Sequence, residues 1–125
     1  MNTFSKENLE EVTLKIETLA LKDTKNNIIF TFEDIIHLDN AAISRILQNL
    51  DNSDLLKALR GTNAALQEKF FSNMSPNLAA QLKEDFEYQG SVPLSKVLDS
   101  RNKIIKLIEE LAKKSEITIN KEPVL

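Results

Sequence analysis

A chain of 125 residues with a formal charge of −3, 42% hydrophobic and 28% charged, can bury one core and is too apolar for disorder. Its negative balance argues against nucleic acid, which needs a basic footprint, and with no cysteine it has no disulfide framework, thiolate nucleophile or Cys-based zinc site. Two glycines and three prolines favour helices joined by short polar turns over a strand-rich fold. The start, Met1 to Glu7, lacks the apolar run of a signal peptide, and no segment is apolar for long enough to span a bilayer. A cytoplasmic protein is expected, with no direct membrane insertion.

Ser5 is placed to cap a first helix with the stripe Leu9, Val12, Ile16, Leu19 and Ala20. The alternation Val12, Leu14, Ile16 also allows a strand, although the helical stripe is favoured. Lys22 to Asn27 is polar and turn-prone, so it reads as a boundary or linker. Ile28 to Phe32 is β-prone, and reads either as a strand or as an extended linker that plugs its phenylalanines into neighbouring helices.

From Asp39 the helix signals sharpen. Asp39 or Asn40 caps a helix with the stripe Ile43, Ile46, Leu47 and Leu50. Asp51 to Ser53 caps another, carrying Leu55, Leu56 and Leu59 and ending at Gly61. Thr62-Asn63 starts a third, with Leu66, Phe70 and Met74 inward. Ser75-Pro76 opens a fourth, because Ser75 can accept from an orphan amide and Pro76 suits the first helical position. Gly90 is expected to close it in a left-handed conformation. Its floor is Leu78, Ala79, Leu82 and Phe86, and its outer stripe is Asn77, Gln81, Glu84 and Tyr88, flanked by Asp85 and Glu87.

Pro93 biases Val92 to an extended link, and Ser95 is expected to cap the longest helix, reaching about Lys114. Val97, Leu98, Ile104, Ile105, Ile108, Leu111 and Ala112 form its broad apolar face. Glu116 to Ile119 reads as a short extended tail. The fold class expected is all-α, an armadillo-like stack of short helices plus one long C-terminal helix.

The residues point to no catalysis. His37, the only histidine, has no partner at catalytic spacing. Ser100 to Lys103 matches a Ser-x-x-Lys pattern but lies mid-helix without companion motifs. No glycine-rich phosphate loop exists, and Glu84-Asp85 has no further ligands converging on it. The expectation is a non-enzyme with no cofactor and no metal.

Five stretches in order resemble the C-terminal domain of the bacterial flagellar motor switch protein of the FliG family. They are Ile29 to Ile35 (a Met-Phe-x-Phe hinge and its continuation), Leu38 to Leu47, Ala58-Leu59-Arg60-Gly61, Glu68 to Ser75 (a Glu-Lys-(Phe/Ile)-x-x-Asn-Met-Ser signature), and Leu82 to Ser95. The register holds without gaps from Ile29 to Ile119, while residues 1–28 match poorly and 120–125 form a tail. The family's N-terminal and middle domains have no counterpart, which implies a domain of a longer protein or a short paralogue.

The resemblance implies a rotor component at the cytoplasmic face of the inner membrane, in the flagellar basal body. Its implied partners are the stator's cytoplasmic loop, neighbouring switch-ring proteins and copies of itself in a ring. Position by position, the implied stator-facing ridge is Arg60, Glu84 and Asp85, with Lys83 near the basic side. Asn77 and Pro93 stand where the family carries arginines, and Ser91 replaces a proline. Ile29, Phe30, Thr31 and Phe32, together with Gly90, are the implied hinge, although plain core filling also accounts for the phenylalanines. Two functions stay open: transmission of torque and switching, or a helical adaptor or regulatory paralogue that keeps the fold without full torque.

Overall fold

A computed structural model of the chain describes residues 20–23 and 28–119. The first expected helix lies outside the described residues except for its last position. Ala20 belongs instead to a strand, β1 (Ala20–Asp23), which pairs antiparallel with β2 (Ile28–Thr31). The register places Ala20 opposite Thr31 and Asp23 opposite Ile28. The linker expected over Lys22 to Asn27 therefore begins inside a strand. The reason is pairing: an Ile-Ile-Phe-Thr segment that goes extended must place its backbone amides and carbonyls, and Ala20–Asp23 supplies the partner.

At the end of β2 the chain turns sharply. The Thr31 amide and hydroxyl both donate to one carboxylate oxygen of Asp34, at 2.8 and 2.9 Å. That pair of bonds starts a 3-10 helix over Phe32–His37. At three residues per turn, Phe32, Ile35 and Leu38 fall on one side, and all three are buried.

Four α-helices follow at short intervals: α1 (Asn40–Gln48), α2 (Asn52–Ala58), α3 (Ala64–Phe71) and α4 (Pro76–Gln89). Each begins where a short polar side chain can accept an orphan amide. Asp39 accepts from Ala42 at 2.7 Å, Asp51 from Ser53 at 3.1 Å, Asn63 from Leu66 at 2.8 Å and Ser75 from Leu78 at 3.3 Å. The inward stripes are close to those expected, with Ile43, Ile46, Leu55, Leu56, Leu59, Leu66 and Phe70 buried. Phe71 is buried as well, while Met74 lies beyond α3 and is half-buried.

The long helix α5 (Leu94–Lys113) starts two residues earlier than a cap at Ser95 would have it. Pro93 occupies the cap position, and its carbonyl accepts from the amides of Lys96 and Val97 at 2.9 and 3.1 Å. Proline already holds the φ that a helix entry needs, so no side-chain cap is used. At the other end, Ser115 takes a positive φ of 58° and the Glu116 amide donates to the Leu111 carbonyl at 2.9 Å. This helix-closing turn directs Ile117 back into the core, so the expected tail is packed. Packing is heaviest between α2 and α5, with α1 on α5, α3 under the 3-10 helix and α4 on α2. The result is the all-α, armadillo-like stack of short helices against one long helix, with the hairpin appended.

One side chain fastens the α2–α5 contact. Arg101 of α5 reaches the C-terminal turn of α2, its Nε donating to the Ala58 carbonyl at 2.9 Å and its Nη2 to the Arg60 carbonyl at 2.7 Å. Its guanidinium also lies 5.1 Å from the Phe32 ring centroid. The last carbonyls of a helix have no partner within it, and a cation there also meets the negative end of the helix dipole. Burial pulls the Arg101 pKa below its ordinary value and the Glu33 carboxylate pushes it back up, but an arginine stays charged throughout. Arg101→Met keeps much of the apolar stem and leaves both carbonyls unpaired. It is expected to destabilise the fold by about 1.5–3 kcal/mol, read as a lower urea midpoint.

Candidate functional site

Helix α4 is built to show one face to solvent. Proline at its first position and the Ser75 cap fix its entry. It ends at Gly90, with φ 62° and ψ −145°. This is not the expected left-handed helical conformation but the mirror-extended region that is nearly exclusive to glycine. A Cβ would meet no atom within 4 Å there, so backbone conformation alone favours glycine.

Leu82 is the residue of α4 that is fully buried, at 4% exposure. Ala79 and Phe86 are half-buried, and Leu78, expected in the floor, is 38% exposed. The cause is that α4 is peripheral and leans mainly on α2, too narrow a support for a four-residue floor. Asn77, Gln81, Glu84, Asp85 and Glu87 are all exposed, and Tyr88 is 83% exposed. Neither Glu84 nor Asp85 has an ion-pair or hydrogen-bond partner among the described residues.

The bases behave differently from the acids. Arg60, between α2 and α3, folds back onto α4: its guanidinium stacks 3.7 Å from the Phe86 ring centroid, and its Nη2 donates to the Phe86 carbonyl. Its Nε is buried without an acceptor. Lys83 is held toward α3 by Glu68 at 3.5 Å, with its ammonium 5.6 Å from the Phe71 ring centroid. Gln89 adds a third tie, its amide donating to the Leu56 carbonyl at 3.0 Å. Asn77 is exposed in the first turn of α4 and Pro93 is exposed at the start of α5. The structure thus keeps Glu84 and Asp85 together on the surface and sets Arg60 apart from them as a half-buried strut. Phe86, expected in the floor but not as the partner of Arg60, and Gln89, which no pattern marks, fix the position of the helix. An amide that reaches one carbonyl of another helix, or a ring that faces a guanidinium, leaves no periodic trace in a sequence.

Of the implied hinge, Gly90 closes α4 and Ile29 to Phe32 lies elsewhere, at β2 and the start of the 3-10 helix. Phe30 and Phe32 are both buried in the core, and Thr31 is tied to Asp34. The Ser-x-x-Lys pattern has a structural explanation: Ser100 is 3% exposed and donates to Asp54 at 3.2 Å, and Lys103 reaches the same oxygen at 3.5 Å. His37 is exposed at the end of the 3-10 helix. Among the described residues, no three His, Cys, Asp or Glu side chains are grouped to hold a metal, and no helix is long and apolar enough to cross a membrane.

The family model described as the FliG C-terminal domain matches residues 13–119. The chain is 42% identical over 103 residues to the flagellar motor switch protein FliG of Thermotoga maritima, covering 82% of this chain and 31% of that protein. It is 39% identical over 109 residues to FliG of Borreliella burgdorferi, covering 87% and 32%. The chain therefore spans about a third of the length of these relatives. A crystal structure of FliG residues 86–343 from Helicobacter pylori aligns with a TM-score of 0.72 at 34% identity, covering 94% of this chain and 56% of that one.

The Arg60–Phe86 contact predicts a measurable coupling between α4 and the α2–α3 turn. In a double-mutant cycle with Arg60→Gln and Phe86→Leu, unfolding free energies are expected to show an interaction of about 0.5–2 kcal/mol. Additive effects would mean that the stacking contributes nothing.

Proposed function

The chain belongs to the FliG C-terminal domain family, and from that premise we propose that it acts without catalysis as a rotor component of the bacterial flagellar motor switch. Its working surface is the outer face of α4, where Glu84 and Asp85 meet cationic groups on the cytoplasmic loop of the stator. The observation that carries this reading is an unpaired acidic pair on a helix whose one base, Lys83, is turned to Glu68 and whose neighbour Arg60 is turned onto Phe86. Exposed ion pairs are weak and reversible, so a moving partner can make and release them at every step. Neighbouring switch-ring proteins and copies of the same chain complete the ring, at the cytoplasmic face of the inner membrane. The Ile29 to Phe32 segment and Gly90 serve as the hinges on which the torque-bearing helices reorient.

A second reading has its own support. Asn77 and Pro93 are neutral, and Arg60 is turned onto Phe86, so the basic half of the ridge is missing. A regulatory paralogue or helical adaptor that keeps the fold without full torque would have this surface. Motility separates the two. Cells carrying Glu84→Lys with Asp85→Lys are expected to assemble filaments and swim poorly or not at all. The purified variant should unfold within about 0.5 kcal/mol per substitution of the parent, because both sites are exposed. Filamented cells that swim normally would remove the torque reading and leave the adaptor.

A further inference from the structure

A second charged surface lies away from the α4 ridge, in the angle between α2 and the first half of α5. It is an open cleft of about 400 Å³ lined by Asp54, Lys57, Lys96, Asp99, Ser100, Asn102, Lys103 and Lys106. In a chain whose overall charge is −3, four lysines gather here against two aspartates. Asp54 is already engaged by Ser100 and Lys103. Lys57, Lys96 and Lys106 have no carboxylate within 4 Å among the described residues.

We propose that this cleft docks an acidic segment of a protein partner, whose Asp and Glu side chains bridge Lys57 on one wall and Lys96, Lys103 and Lys106 on the other. The spacing of the charges selects this class of ligand. Lys96 and Lys103 are two helical turns apart and Lys106 is one further, which spreads the row over roughly 15 Å of α5 at 1.5 Å per residue. A row of separate cations matches a row of single carboxylates. A compact phosphate would instead need several donors converging on one point, or an arginine fork, and the lining has no arginine. Asn102 adds a second discriminator. Its Oδ1 is buried in the cleft wall with no donor, and a turn of the side-chain amide would offer it to a peptide N–H, which a phosphate group lacks. The surface is independent of the acidic face of α4, so its occupation does not compete with the contact proposed there.

The test uses the full chain and fluorescein-labelled poly-glutamate, with binding read by anisotropy. Lys96→Glu with Lys106→Glu is expected to weaken binding about tenfold or more, equivalent to about 1.4 kcal/mol. Lys113→Glu with Lys114→Glu, on exposed lysines outside the cleft, is expected to change it less than about twofold. Glu84→Lys with Asp85→Lys should leave the cleft's effect intact, so failure of the α4 reading and failure of this one are distinguishable. Equal losses from both lysine pairs would reduce the effect to net charge and overturn the proposal. So would an absence of binding, or tighter binding of tripolyphosphate or phosphatidylserine vesicles than of poly-glutamate.

Discussion

The fold depends on how a short helix is held at its C-terminal end. Helix α2 is seven residues long, and a helix that short is not stable by itself in water. It persists because Leu55, Leu56 and Leu59 are buried against α5, and because Arg101 takes the carbonyls that the α2 helix leaves open. Gly61 follows with φ 79°, turning the chain toward α3 just beside that guanidinium. Every neighbouring element is positioned from this joint: α4 leans on α2, and the Phe32 ring of the 3-10 helix lies against the face of Arg101. A half-buried cation that keeps its charge at every working pH is a permanent fastener, unlike a histidine or lysine in the same place.

Much of this architecture is legible in the sequence because it is written in local terms. Ser75 is marked as a cap outright, Asp39, Asp51 and Asn63 each fall within the two or three residues where a cap is expected, and all four accept a first-turn amide. The stripes of α1, α2 and α5 follow for the same reason, since helical periodicity is a property of neighbouring residues. What the sequence conceals is pairing at a distance. Ala20 reads as the end of a helix until Thr31 is known to lie opposite it. Ser95 reads as a cap until the Pro93 carbonyl is seen doing that work. Leu78 reads as core until α4 turns out to have a narrow support.

The candidate site divides along the same line. Glu84, Asp85 and their exposure are legible, because a polar stripe opposite an apolar one has few other interpretations. The fate of Arg60 is not, since its partner Phe86 is twenty-six residues away and the contact is to a ring and a backbone carbonyl. Charge counted along the sequence would balance Arg60 against the acids. Charge placed in space leaves Glu84 and Asp85 without partners on α4 and sets four lysines against two aspartates in the α2–α5 cleft.

Arg60 has one more consequence, which is mechanical. The covalent link from α4 to α5 runs through Gly90, whose backbone is open enough that a Cβ would touch nothing. The Arg60 side chain grips α4 at Phe86 while its own carbonyl is gripped by Arg101 of α5. Helix α4 is therefore joined to the long helix twice, once through the backbone at Gly90 and once through two guanidinium groups in series.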